Sequence, residues 1–86
     1  MTLYINNIHP KMTERRLTKI FQKFGEVCSV VMAKEIRLGV YKAYGYVEMT
    51  DNQEAKTAVS RLNGSIHKRS KISVLQATFL KNTKVK

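Results

Sequence analysis

The chain has one cysteine, one proline, no tryptophan and only six acidic residues among its 86. A lone Cys28 cannot close an internal disulfide, and with only His9 and His67 beside it there is no set at zinc-ligand spacing. Cys28 reads as a small apolar strand residue, and the absence of disulfides fits a reducing compartment. No run of about 18 apolar residues is present, which excludes a membrane-spanning helix. The start, "MTLYINNIHP", has no basic region leading into an apolar stretch of signal-peptide length. A cytoplasmic protein is the expectation. Internal repeats and low-complexity segments are missing. So are a carboxylate pair, a Ser/His/Asp set and a glycine-rich phosphate loop, which argues against an enzyme and against a cofactor.

Scarcity of acid makes the charge one-sided. Sixteen Lys and Arg against six Asp and Glu give a net charge of +10. On a domain this small, such an excess concentrates anions and speeds encounters with polyanions. Nucleic acid is the favoured partner. A ribosomal-type protein or an anionic membrane surface would show the same balance, so charge alone does not choose. With 43% hydrophobic and 26% charged residues the composition is that of an ordinary folded domain.

Periodicity supplies the elements. "TLYINNI" alternates Leu3 and Ile5 with Tyr4 and Asn6, which predicts a strand closed by Pro10. From Thr13 the spacing becomes helical, through Leu17, Ile20, Phe21 and Phe24. Thr13 as N-cap, Glu14 in the first turn and Gly25 past the end predict a helix over 14–24. "VCSVVMAK" (27–34) predicts a second strand, "EIRLGVY" a hairpin loop without a clean period, and "KAYGYVEM" (42–49) a third strand. Asp51 with Glu54 resembles a capping box opening a second helix, with Ala55, Ala58, Val59 and Leu62 as its stripe and Asn63-Gly64 as its end. A basic loop, "HKRSK", leads to a fourth strand at about 72–77. The expected division is a domain over 1–78 and a basic C-terminal tail over 79–86.

The order βαββαβ is that of the α+β ferredoxin-like sandwich, a four-stranded antiparallel sheet with two helices on one face. Its core is expected from the helix stripes with Leu3, Ile5, Val30, Met32, Val47, Met49, Ile72 and Val74. Alternation then turns Tyr4, Asn6, Lys42, Tyr44, Tyr46 and Glu48 to the uncovered face, along with Val31, Ala33, Ser73, Leu75 and Ala77. The first and third strands are central in this topology, so the three tyrosines share one exposed patch. Tyrosine is also an ordinary strand former, but three on one face beside lysines suit unpaired bases. Each stacked base is worth about 1–3 kcal/mol, and lysines hold phosphates.

These residues carry a resemblance. "LYINNI" resembles the shorter ribonucleoprotein motif of the RNA-recognition motif family, and "KAYGYVEM" the longer one. "FQKFGEV" and "AVSRLNG" also look like family positions, so the likeness spans nearly the whole chain and resembles small single-domain bacterial RNA-binding proteins. The resemblance implies that Tyr4 and Tyr46 stack on neighbouring bases, that Tyr44 packs against sugars, that Lys42 contacts phosphate and that Asn6 hydrogen-bonds a base edge. Lys34 and Arg37 flank the hairpin loop, and Lys68 and Arg69 the last turn, as further candidates. Leu75 either contacts a base or is covered by Phe79 and Leu80. The partner implied is single-stranded RNA, with single-stranded DNA left open because stacking ignores the sugar; a monomer acting in post-transcriptional regulation or RNA chaperoning is expected.

Three departures stand out. Ala43 occupies a usual glycine, Met49 a usual aromatic, and "KRSK" replaces the usual Gly-Arg turn. Rival readings are weaker. An acylphosphatase-like enzyme on this topology needs glycines and an arginine after the first strand, which "NNIHPKM" lacks. A protein-binding variant of the fold generally loses the sheet aromatics. The basic run "TERRLTK" reads as a solvated face, with a second contact for protein or RNA as the alternative.

Overall fold

The computed structural model describes residues 1–77, apart from the side chains of Arg37 and Lys42. The expected tail over 79–86, with Phe79 and Leu80, lies outside the described residues, so covering of Leu75 by those two side chains does too. Helix α1 (Glu14–Gln22) begins where Thr13 caps it: the Thr13 hydroxyl accepts from the Arg16 amide at 3.1 Å. Helix α2 (Asn52–Leu62) begins in the same way, with the Asp51 carboxylate accepting from the Glu54 amide at 2.9 Å. The expected reach of α1 to residue 24 is two residues long; Lys23 is its C-cap, and the Phe24 amide closes a tighter bond back to Phe21.

Strands β1 (Thr2–Ile8), β2 (Val27–Arg37), β3 (Val40–Met49) and β6 (Ser73–Gln76) form one antiparallel sheet in the order β2-β3-β1-β6. Between α2 and β6 lies a small second ribbon, β4 (Ile66–His67) paired with β5 (Ser70–Lys71). This is the expected ferredoxin-like arrangement, with β1 and β3 central. Leu17 and Phe21 of α1 and Ala55, Ala58 and Leu62 of α2 bury against Leu3, Ile5, Val47, Met49 and Val74, so both helices cover the same side of the sheet. Complete burial of Phe21, Leu3, Ile5 and Leu17 contributes about 1.5–3 kcal/mol each. Val30 and Met32, expected in the core, lie only partly buried at its margin, because β2 is an edge strand.

Three expectations are corrected. The loop placed over residues 35–41 is strand on both sides of a two-residue turn, Leu38-Gly39, with φ of 54° and 78°. Ile36, Leu38, Val40 and Tyr41 are all exposed there; a ribbon with no buried face has no reason to alternate, so its period was unreadable. The basic loop "HKRSK" likewise becomes the β4–β5 hairpin, turning at Lys68 (φ 52°) and Arg69 (φ 68°). Finally, Ala77 is buried rather than on the open face, since β6 ends at Gln76 and Ala77 turns away, its amide donating to the Thr2 carbonyl at 2.9 Å.

Candidate nucleic-acid interface

Pairing register places one side chain from each of the four strands in a row across the uncovered face. Leu75 on β6 is opposite Tyr4 on β1, Tyr4 is opposite Tyr46 on β3, and Tyr46 is opposite Val31 on β2. Leu75 is 44% and Val31 56% exposed, so the row is open at both ends. In the next row Asn6 pairs with Ser73, and Tyr44 with Ala33. The ring of Tyr4 is 5.3 Å from that of Tyr46 and 6.2 Å from that of Tyr44, tilted by 49° and 46°. Such tilted pairs are the favoured arrangement of neighbouring rings, and they hold the faces in fixed directions.

The backbone between the tyrosines explains why they can stand this way. Gly45 lies between them on the helix side, and a Cβ there would be 2.7 Å from the Val31 carbonyl oxygen and 3.3 Å from Met32 Cγ. Glycine therefore lets β3 approach β2 closely and keeps Val31 level with Tyr46. Ala43 and Met49, the departures from the family pattern, are both fully buried on the helix side, away from the tyrosines. Partial burial raises the Tyr4 hydroxyl above the usual tyrosine value of 10.0, and Tyr46, Tyr44 and the Glu35 carboxylate push it further in the same direction. Tyr4 is thus a neutral phenol at physiological pH, able to donate.

The remaining sequence candidates divide. Asn6 is exposed beside Tyr4's strand neighbours, and the next residue, Asn7, adopts φ 61° where the β1–β3 register slips. Its side chain donates to the Lys71 carbonyl at 2.8 Å, which ties β1 to β5; this bulge residue was missed because two successive asparagines look alike in a strand pattern. Lys34 is opposite the buried Ala43, so it projects on the reverse of the sheet from the tyrosines, a correction that follows from the longer hairpin. Lys42 and Arg37 pair with Glu35 and Val40, and their side chains lie outside the described residues. Lys68 and Arg69 form an exposed turn, and Lys68 lines a depression with Met12, Arg16 and Ile20 of the helix side. Glu48, on the open face with the wrong charge for phosphate, accepts from the Thr2 hydroxyl and from the N-terminal ammonium at 3.3 Å. Among the described residues no helix is long and apolar enough to cross a membrane, and no three potential metal ligands cluster.

Comparison with known proteins agrees with this geometry. Residues 3–73 match the model of the RNA recognition motif. The chain is 36% identical over 64 residues to human "Probable RNA-binding protein 23", covering 74% of this chain and 15% of that protein. It is 31% identical over 65 residues to the protein RbpD of Nostoc sp., covering 76% of this chain and 69% of RbpD. The chain thus spans a small fraction of the human relative and about two thirds of the Nostoc one. Among solved structures, "RNA Binding Protein PG1" superposes with a TM-score of 0.77 at 28% identity, covering 87% of this chain and 90% of that one. With its sheet order, its two motifs and this match over most of its length, the chain belongs to the RNA recognition motif family.

Proposed function

We propose that this chain is a non-enzymatic module that binds single-stranded RNA on its uncovered sheet face. Bases stack on Tyr4 and Tyr46, Tyr44 packs against the sugars between them, and Asn6 hydrogen-bonds a base edge. Lys42, Arg37 and Arg69 hold phosphates, and Leu75 gives an apolar contact at the end of the row. The observation that supports this reading best is the gathering of three half-buried tyrosine rings, Tyr4 within 5.3–6.2 Å of the other two, on the face opposite α1 and α2. Membership of the family and similarity to two proteins named as RNA-binding support it further. A platform of this width holds roughly two to four nucleotides with modest sequence preference. A role in post-transcriptional regulation or RNA chaperoning in the cytoplasm follows as the setting proposed for such binding.

The test is titration of the 86-residue chain with short single-stranded RNAs, read by fluorescence anisotropy and by amide shifts. Binding is expected to perturb the amides of Tyr4, Asn6, Tyr44, Tyr46 and Leu75. Changing Tyr4, Tyr44 and Tyr46 together to alanine should leave only weak, salt-sensitive binding while the circular dichroism of the folded domain persists. Undiminished RNA affinity in that triple variant sinks the sheet-face reading. Single-stranded DNA of the same sequence serves as the comparison that shows whether 2′-hydroxyl contacts contribute.

A further inference from the structure

On the helix side of the molecule a groove of about 280 Å³ opens between α1 and the β4–β5 hairpin, lined by Met12, Arg16, Ile20, Ile66, His67 and Lys68. Its wall is aliphatic: Met12 is buried, Ile20 half-buried, and Ile66 is left 68% exposed on its short ribbon. Its rim is basic. Arg16 and Lys68 border it, and Arg16 also lines an adjoining depression with Arg15, Lys19 and Thr13. The acid of α1 does not offset these charges, because the Glu14 carboxylate is turned to the edge of the sheet, where it accepts from the Met32 amide at 3.1 Å.

From this we infer a second binding surface, independent of the RNA platform: a docking groove for a protein segment that presents one large apolar side chain flanked by carboxylates. The volume is below the range of small-molecule pockets, about 300–1,000 Å³, and suits one anchoring side chain. Wholly basic flanks on an aliphatic floor select an acidic partner by charge complementarity, which governs encounter and orientation. RNA fits less well: among the described lining residues there is no tyrosine, phenylalanine or tryptophan, and the one ring, that of His67, is tied to the Ser65 hydroxyl. Ile66 then has a use: an exposed isoleucine beside a cleft is the kind of contact that a partner's anchor covers. His67 is held in place by the Ser65 hydroxyl at 2.9 Å, and that hydroxyl in turn donates to the Leu62 carbonyl at 2.6 Å, so the hairpin wall is fixed to the end of α2.

The probe is a synthetic peptide, Asp-Glu-Asp-Trp-Asp-Glu-Asp, titrated into the isotope-labelled 86-residue chain, with a second peptide carrying Ser in place of Trp. Saturable shifts are expected at the amides of Arg16, Ile20, Ile66 and His67, with Tyr4 and Tyr46 unmoved. The Ser peptide should bind about tenfold more weakly, as should the Trp peptide to Ile66→Ser and to Arg16→Glu. Both variants change exposed residues, so folding survives, and their affinity for RNA should stay within about twofold of the parent because neither lies on the tyrosine face. Three results overturn the proposal: no saturable shift in the groove at about 1 mM peptide, equal binding of the Trp and Ser peptides, or movement of these amides by RNA rather than by peptide. The last would make the groove a second RNA contact.

Discussion

Tyr4 is flanked on the open face of the sheet by Leu75 on one side and Tyr46 on the other. Removing its ring by Tyr4→Ala, or that of its neighbour by Tyr46→Ala, should weaken RNA binding by about 1–3 kcal/mol, a five- to 150-fold change that anisotropy resolves. The same surroundings predict a pH effect. Burial first, then Tyr46, Tyr44 and Glu35, favour the neutral phenol in the folded state, so its pKa lies above the unfolded value of 10.0. Its contribution to stability is therefore complete below pH 10 and is lost as pH rises from there through the raised folded value. Urea unfolding of parent and Tyr4→Phe, compared between pH 9 and 12, isolates it: the parent should lose stability more steeply, since phenylalanine cannot ionise. Parallel slopes would show that the phenol is not held neutral. Gly45 makes the complementary point about backbone. With only 2.7 Å to the Val31 carbonyl, Gly45→Ala must push β2 from β3, at a cost of about 1–3 kcal/mol, which thermal unfolding would register.

Among the elements, the two hairpins differ from the rest in how they are specified. Caps and stripes made α1, α2 and the central strands readable, because Thr13, Asp51, Leu17, Phe21 and the alternation of "TLYI" and "AYGYVEM" each report a single physical demand. The β2–β3 tip and the β4–β5 ribbon report none: both turn at residues with positive φ, yet only Gly39 among the four turn residues suits that conformation. Leu38, 98% exposed at φ 54°, and the pair Lys68-Arg69 are held by the ladders on either side rather than by their own preference. The tyrosine platform was legible for the opposite reason, since aromatic and apolar residues alternate there without a break. Lys34 reads as flanking a loop because no period marks how far β2 continues, and its pairing with Ala43 places it within the strand instead. A left-handed non-glycine residue costs about 1–2 kcal/mol, and Asn-Gly is the favoured pair for such turns. Leu38→Asn should therefore stabilise the domain by up to about 1 kcal/mol, raising its melting temperature, while the shifts of Tyr4, Tyr44 and Tyr46 stay unchanged. A lower melting temperature would mean that Leu38 makes a contact worth more than the backbone strain.

At the scale of the whole molecule, the question is which of the sixteen basic residues an RNA on the sheet can feel. The described residues span 37 × 35 × 20 Å, so the helix-side surface lies about two Debye lengths from the tyrosine face at physiological salt, where screening acts over about 8 Å. Arg15 and Lys19, on α1, should then contribute little to RNA affinity, whereas Lys42, Arg37 and Arg69 should contribute by direct phosphate contact. Release of counterions from single strands gives a slope of about −0.7 per phosphate neutralised in a plot of log affinity against log salt. Three contacts predict a slope of about −2, far shallower than the net charge of +10 would give if every cation took part. Reversing Arg15 and Lys19 to glutamate should leave both slope and affinity nearly unchanged at 0.15 M salt, and Lys42→Ala should reduce the slope by about 0.7. The triple tyrosine variant separates the two forces: whatever weak binding it retains should keep the parent slope, because stacking displaces no counterions. A slope that collapses with the tyrosines, or one that falls on reversing Arg15 and Lys19, would mean that the phosphates track a path other than the edge of the platform.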